Sequence, residues 1–140
     1  MLELVILKGL PASGKSTWAR SWVNEEPKGR VIVNRDNIRR MLGPYWVPTR
    51  ENLVTEIEDS MIMDALMARF DVVVDATNLK GTERFENLIE KYNLKSIVTL
   101  SVKDFTDVDI EICLERDKLR EKDEQVGEDV IRRMAKNIKK

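Results

Sequence analysis

The sequence contains no histidine and only one cysteine among its 140 residues. Without histidine, the chain cannot form a catalytic triad with an imidazole base or the usual histidine-containing zinc site. The single cysteine, Cys113, cannot form an intrachain disulfide, which is typical of a protein of the reducing cytoplasm. Any general base must therefore be a carboxylate, a lysine or a tyrosine.

The sequence also lacks an apolar run long enough to span a membrane and an excess of either charge. The formal net charge of −1 argues against indiscriminate nucleic-acid binding, although residues 1–50 carry nine Lys/Arg against four Asp/Glu. An apolar strand pattern at the very start predicts no signal peptide. The length predicts a single domain over residues 1–140.

A short apolar run, residues 4–7, precedes the segment G-L-P-A-S-G-K-S-T, which fits the phosphate-binding P-loop pattern G-x-x-x-x-G-K-[S/T]. Backbone N–H groups and the positive end of the following helix would hold an oligophosphate. Lys15 would reach the outer phosphates, and the Ser16 hydroxyl would ligate Mg²⁺. The residues predicted to contact the nucleotide from this loop are Gly9, Ala12, Ser13, Gly14, Lys15, Ser16 and Thr17.

Strand and helix patterns alternate along the chain, which predicts an α/β sandwich. The predicted strands are Leu2–Lys8, Arg30–Asn34, Asp71–Asp75 and Lys95–Val102. The predicted helices cover Lys15–Asn24, a short segment after Asp36, a long segment capped by Thr49, Thr82–Tyr92, and two helices after Val108 hinged at Val126-Gly127. The P-loop combined with this alternation resembles the P-loop kinases, and the resemblance implies a three-layer sandwich with a four-stranded, mainly parallel sheet in the order 2-3-1-4. A C-terminal helical lid would cover approximately residues 114–128.

Polar residues follow the second and third strands, where ligands of parallel sheets bind. After the second strand, Asp36 could accept a proton from an attacking hydroxyl, and Arg39 could hold an acceptor phosphate. Alternatively, Asp36 caps the short helix and pairs with a neighbouring arginine. After the third strand, Asp75 resembles a Walker B aspartate, which supports Mg²⁺ or orients a base, and Asn78 is expected to cap the next helix. A strand-end turn without a catalytic role is the alternative for Asp75.

Two further features allow a functional and a structural interpretation. Arg116 and Arg120 lie one turn apart on a predicted helix, where they could neutralise a transferring phosphoryl group or belong to a salt-bridged surface helix. Tyr45 and Trp46 form an aromatic loop tip that could stack a nucleobase or pack against the following helix.

The motifs occur in a specific order: G-L-P-A-S-G-K-S-T-W-A, V-N-R-D-N-I-R, V-V-V-D-A-T-N, L-E-R-D-K-L-R and E-D-V-I-R-R-M. Over residues 1–134 this order resembles the kinase domain of the bacteriophage polynucleotide 5′-kinases. Two positions depart from that pattern, because Asp117 stands where asparagine is usual and V-G-E (126–128) stands where proline is usual. No D-x-D-G-T-type motif occurs, so 3′-phosphatase activity is not expected.

The resemblance implies transfer of the ATP γ-phosphoryl group to the 5′-hydroxyl end of DNA or RNA, in the cytoplasm, or in the host cytoplasm for a phage-encoded chain. It implies that Lys15 and Ser16 bind phosphate and Mg²⁺, and that Asp36 is the general base. Arg39 would grip the acceptor phosphate, Asp75 and Asn78 would support the acceptor side, and Arg116 and Arg120 would be lid arginines. Two rivals are a P-loop kinase of a sugar, nucleoside or antibiotic, and an ATP-gated binding module. The sequence predicts no oligomeric state.

Overall fold

Four strands and six α-helices alternate in the computed structural model, which describes residues 1–138. The strands are β1 (Leu2–Lys8), β2 (Arg30–Asn34), β3 (Asp71–Asp75) and β4 (Val98–Asp104). The helices are α1 (Lys15–Glu25), α2 (Arg35–Met41), α3 (Glu51–Met67), α4 (Glu83–Lys91), α5 (Ile110–Lys118) and α6 (Glu128–Lys136). Short 3₁₀ turns occur at Pro48–Arg50 and Lys122–Glu124.

The sheet has the strand order β2-β3-β1-β4, and every strand pair in it is parallel. This confirms the predicted order. Because the strands are parallel, their carboxyl ends meet at one edge, where Lys8, Asn34 and Asp75 lie. The P-loop leaves the sheet from β1, which has a neighbour on each side, so the loop opens in the middle of that edge.

Helices cover both faces of the sheet, as the three-layer prediction required. On one face, apolar residues of α2, α3 and α4 pack against β1, β2 and β3, with Ile38, Ile62 and Phe85 almost fully buried. On the other face, α1 packs through Ala19 and its partly buried neighbours. These two layers hold the carboxyl edge of the sheet in place between them.

The helices α5 and α6 form a third apolar cluster with the segment that follows β1. Leu114 and Ile131 pack against Leu10 of the P-loop, and Cys113 is fully buried in the same cluster. Burial raises the pKa of the Cys113 thiol, so this cysteine is a packing residue. The contact fixes the C-terminal helices against the P-loop.

Several predicted boundaries are wrong. β4 covers Val98–Asp104 rather than Lys95–Val102, and its start is shifted because the preceding residues form a turn in which Val98 N–H donates to the Leu94 carbonyl at 3.0 Å. α2 begins at Arg35, so Asp36 lies inside this helix rather than before it. Thr49 does not cap α3, because it lies inside the 3₁₀ turn and α3 begins after Arg50. None of the helices among residues 1–138 is both long and apolar enough to cross a membrane.

Candidate active site

A cleft of about 1760 Å³ lies at the carboxyl edge of the sheet. It brings together every predicted site residue except Gly9. The predicted residues that line it are Ala12, Ser13, Gly14, Lys15, Ser16, Thr17, Asp36, Arg39, Asp75, Asn78, Arg116 and Arg120. Residues from four separate sequence motifs therefore share one cavity.

The P-loop has the backbone conformation of an anion-binding turn. Ala12 and Gly14 have positive φ angles of 64° and 104°, and α1 begins immediately afterwards at Lys15. Gly9 shapes the loop from outside the cleft, because a Cβ atom there would lie 2.9 Å from both Phe105 Cβ and Ser13 Oγ. The loop can therefore present its N–H groups and the α1 N-terminus to a phosphate.

The Lys15 side chain is folded back into the P-loop. Its Nζ donates to the carbonyl oxygens of Gly9 at 3.1 Å and Leu10 at 2.5 Å. Burial lowers the pKa of Lys15 to about 8, and the nearby Asp75 carboxylate opposes this shift only in part. The amine therefore begins to lose its charge just above neutral pH when no phosphate is bound.

This pKa predicts a pH dependence of nucleotide binding. A bound triphosphate favours the protonated amine, so binding should take up a proton above pH 8 and affinity should fall by up to about tenfold per pH unit. Titration calorimetry between pH 7 and 9.5, in buffers of different ionisation enthalpy, measures both quantities. Lys15→Arg is the matched control, because its guanidinium keeps its charge in this range. Equal proton uptake by both proteins would assign the effect to another group.

Ser16 and Asp75 lie in contact below the P-loop. Ser16 Oγ donates to Asp75 Oδ2 at 2.6 Å, and Asn34 Nδ2 donates to the same oxygen at 2.9 Å. A hydroxyl and a carboxylate are ligands that fit Mg²⁺. Residues 1–138 contain no group of three or more His, Cys, Asp or Glu side chains that could hold a metal ion. A Mg²⁺ ion here would therefore take its remaining ligands from nucleotide phosphates and water, as this ion commonly does.

Asp36 lies on another wall of the cleft with one carboxylate oxygen anchored. Arg39 NH1 and the Tyr45 hydroxyl each donate to Asp36 Oδ1 at 2.8 Å. The side chain is 41% exposed, and Oδ2 accepts no hydrogen bond from residues 1–138. Asn34 caps α2 by accepting from Asn37 N–H, so Asp36 is not the cap, although it does pair with Arg39 as that alternative predicted. The free oxygen can accept a proton.

The Tyr45 ring lies beside two arginines of α2. Its ring lies 5.7 Å from the Arg39 guanidinium and 5.5 Å from that of Arg40. Burial and the charge of Asp36 raise the pKa of the phenol to about 12. Tyr45 therefore stays protonated, and remains a hydrogen-bond donor to Asp36, at physiological pH.

Glu51 is a site residue that the sequence did not indicate. Its two carboxylate oxygens accept from Arg39 Nε at 3.0 Å and Arg39 NH2 at 2.6 Å. Burial disfavours the charge of Arg39, but Glu51 and Asp36 outweigh this effect and raise its pKa. The hydrogen bond from Arg39 in turn lowers the pKa of Glu51. Among residues 1–138, three of the five Arg39 guanidinium donors are engaged, by Glu51 and Asp36, and two remain for a phosphate.

A buried acid braces the same wall of the cleft. Glu58 of α3 is 0% exposed and accepts from Arg84 of α4 and, at 3.4 Å, from Arg35 of α2. The sequence did carry a signal, because Glu58 interrupts the apolar helical spacing between Val54 and Ile62. Glu58 thus links the three helices α2, α3 and α4 behind this wall of the cleft.

Asn78 does not cap α4 as expected, because the N-cap residue is Thr82. Asn78 has a positive φ of 47°, and its Nδ2 donates to the carbonyls of Leu7 at 2.6 Å and Ala76 at 3.3 Å. It therefore ties the loop after β3 to the end of β1 while still lining the cleft.

The two predicted lid arginines face the cleft. Arg116 NH1 donates to the Ala12 carbonyl in the P-loop at 3.2 Å. Arg120 NH1 lies 3.8 Å from Asp117 Oδ1, and its side chain is 34% exposed. These positions put both guanidinium groups within the cavity that contains the phosphate-binding loop.

The two departures from the phage kinase pattern contact each other. Asp117 is buried, and its two carboxylate oxygens accept from the backbone N–H groups of Val126 and Gly127, each at 2.9 Å. Proline has no N–H to donate, so a proline at position 126 or 127 would remove one of these two hydrogen bonds. Asp117 thereby fixes the turn between α5 and α6.

Comparisons with known proteins agree with this geometry. A family model described as an AAA domain matches residues 4–140. A chain in a structure of the Pnkp1/Rnl/Hen1 RNA repair complex is 29% identical with a TM-score of 0.76, and the match covers 98% of this chain and 44% of that one. A second Pnkp1/Rnl/Hen1 complex has a chain with 32% identity and a TM-score of 0.67, matched over 82% of this chain and 38% of that one.

Two curated relatives are much longer than the matched region. An L-seryl-tRNA(Sec) kinase of Methanococcus maripaludis is 33% identical over 84 residues, which are 58% of this chain and 32% of that protein. A protein of Autographa californica nuclear polyhedrosis virus, named for polynucleotide kinase and RNA ligase activities, is 26% identical over 99% of this chain and 21% of its own length. The chain thus spans a third or less of these relatives.

Proposed function

This chain belongs to the AAA-domain family of P-loop proteins, and we propose that it is a polynucleotide 5′-hydroxyl kinase. The reaction transfers the γ-phosphoryl group of ATP to the 5′-hydroxyl end of DNA or RNA. The observation that carries the proposal is Asp36, with one free carboxylate oxygen, beside Arg39 in the same cleft as the P-loop. The similarity to chains of an RNA repair complex supports a nucleic-acid acceptor.

The P-loop side of the cleft binds the donor. Its N–H groups and Lys15 hold the triphosphate, and Ser16, assisted by Asp75, holds Mg²⁺. When bound, Mg²⁺ neutralises charge on the phosphate oxygens. Lys15 exchanges its present carbonyl partners for phosphate oxygens, which favours its charged form.

The opposite wall binds the acceptor. Arg39 uses its two remaining donors for the phosphate next to the acceptor nucleoside, and Asn78 supports the same side of the cleft. Asp36 Oδ2 takes the proton as the 5′ oxygen bonds to the γ-phosphorus. The bond from that phosphorus to the bridging oxygen breaks, and ADP leaves. Positioning and electrostatics thus supply most of the catalysis.

We place the chain as one kinase domain, with residues 114–128 as its lid. Arg116 and Arg120 stabilise the charge that spreads over the transferring phosphoryl group. Closure of the lid would keep water from the donor. A single cysteine, which is free and buried, suits action in the reducing cytoplasm.

Tyr45→Phe tests the anchoring of the proposed base. The substitution keeps the aromatic ring over Arg39 and removes only the hydrogen bond to Asp36 Oδ1. The loss of one such hydrogen bond should lower kcat by about 2- to 10-fold and leave the KM for ATP unchanged. Steady-state kinetics with ATP and a 5′-hydroxyl oligonucleotide separate the two constants. An increase in KM for ATP alone would contradict an effect through Asp36.

The proposed activity is tested by incubating the protein with γ-³²P-ATP, Mg²⁺ and 5′-hydroxyl DNA or RNA oligonucleotides. The matched controls are the same oligonucleotides with a 5′-phosphate. Label on the 5′-hydroxyl strands alone is the expected result, and the ratio of DNA to RNA labelling gives the preference. No label, from protein that still binds ATP, would refute the proposal.

A second candidate is a kinase for another hydroxyl, and the 33% identity to an L-seryl-tRNA(Sec) kinase favours it over the other rivals. A parallel reaction with seryl-tRNA and with free nucleosides distinguishes it. Release of labelled inorganic phosphate without a labelled acceptor would instead indicate an ATP-gated module.

A further inference from the structure

Trp46 is a large aromatic side chain that lines the cleft and is 58% exposed. Single exposed apolar residues are common on protein surfaces and by themselves indicate nothing. The position of Trp46 is what distinguishes it. Its ring centroid lies 5.5 Å from the guanidinium carbon of Arg39, the residue proposed to bind the acceptor phosphate.

The loop that carries Trp46 is braced from below. Gly43 starts it with a positive φ of 123°, and Arg50, immediately before α3, donates back to four carbonyl groups before Trp46. Those carbonyls belong to Arg39 (3.2 Å), Leu42 (3.2 Å), Pro44 (2.5 Å) and Tyr45 (3.5 Å). A braced loop loses little conformational entropy when it binds a ligand.

Arg39 is itself held, so the contact with Trp46 has a defined geometry. Glu51 binds the Nε/NH2 edge of the guanidinium, and Asp36 binds NH1. The cation lies over the indole ring, while much of Trp46 remains open to the cleft. Within the described residues 1–138, the cleft thus presents an aromatic surface beside two Arg39 donors without partners and an Asp36 oxygen that accepts no hydrogen bond.

We propose that Trp46 is the platform on which the terminal nucleobase of the acceptor strand stacks. The inference rests on the proposed function and assigns the part of its site that contacts the acceptor base. Aromatic stacking accepts any base, because every base has a π face, so the platform gives no sequence preference.

The test compares a single-stranded 5′-hydroxyl oligonucleotide with the same strand carrying an abasic 5′-terminal nucleotide. Trp46→Ala should lower kcat/KM by about 5- to 100-fold on the normal strand and have almost no effect on the abasic strand. The unmodified protein should lose a similar factor when the base is removed. Trp46→Phe should recover much of the activity, since it keeps a stacking surface.

Tyr92→Ala is the matched control, because Tyr92 is an aromatic residue that is 39% exposed and lies outside the cleft lining. It should leave both strands unaffected, and the KM for ATP should be unchanged in all three variants. An equal loss on the normal and abasic strands for Trp46→Ala, or no loss on either, would overturn the platform alone. Failure of the unmodified protein to label either strand would overturn the proposed function and this inference with it.

Discussion

Asp36→Asn should lower kcat for phosphoryl transfer by about 10²- to 10⁴-fold, the usual contribution of a general base. The amide keeps the size of the side chain and an oxygen that can accept from Arg39 and Tyr45, but it cannot take the hydroxyl proton. The nucleotide is bound by other elements, the P-loop and α1, so the affinity for ATP should remain unchanged. Single-turnover transfer and calorimetric ATP binding measure the two effects separately.

Asp59→Asn is the matched control for this substitution. Asp59 is a carboxylate that accepts from Arg84, at 3.0 Å from Nε and 2.6 Å from NH2, but it does not line the cleft. It should retain nearly full kcat. If Asp36→Asn transferred phosphate at more than about a tenth of the normal rate, the general-base assignment would be wrong.

The sheet was predictable because its strands are short β-branched runs bounded by polar residues. Such runs are typical of strands covered on both faces, and the bounds of β1, β2 and β3 agree with the prediction. The start of β4 was not predictable from the same signal, because the apolar residues Leu94 and Ile97 belong to the preceding turn, and Ile97 N–H donates to the Leu94 carbonyl. Hydrophobicity alone does not separate a buried turn from a strand.

The cleft was predictable because parallel strands bring their carboxyl ends to one edge. Residues that follow separate strands, such as Lys15, Asp36 and Asp75, therefore had to lie near one another. The hydrogen-bond partners of these side chains were harder to predict from the sequence. The sequence suggested that Asp36 caps α2, but β2 runs into α2 without a loop and leaves Asn34 in the cap position.

The contacts that orient the site depend on how the loops fold. Glu51 reaches Arg39 because the aromatic loop and the 3₁₀ turn reverse the chain before α3. From the sequence, Asp117 looks like one of several charged residues on a polar helix. In the structure it is buried against the turn before α6. No periodicity in the sequence specifies such side-chain to backbone contacts, since they require the tertiary arrangement.

Arg120→Ala should lower kcat by about 10²- to 10³-fold, the loss expected for one donor to developing charge in a transition state. Arg120 is the better of the two lid arginines for this test. Arg116 already donates to the Ala12 carbonyl, so its removal would also disturb the P-loop. Among residues 1–138, the Arg120 guanidinium has one ion-pair partner, Asp117, at 3.8 Å, so it can turn toward a phosphoryl group without breaking a close hydrogen bond. The KM for ATP should change much less than kcat.

A lysine substitution tests whether the planar shape of the Arg120 guanidinium matters in addition to its charge. Arg120→Lys keeps the charge but lacks the planar fork that binds two oxygens, so it should recover only part of the lost kcat. Arg132→Ala is the matched control, because Arg132 pairs with Glu111 at 3.2 Å on the surface of α6 and does not line the cleft. Equal kinetics for Arg120→Ala and Arg132→Ala would exclude Arg120 from the transfer step. Partial rescue by lysine would show that charge and geometry both contribute there.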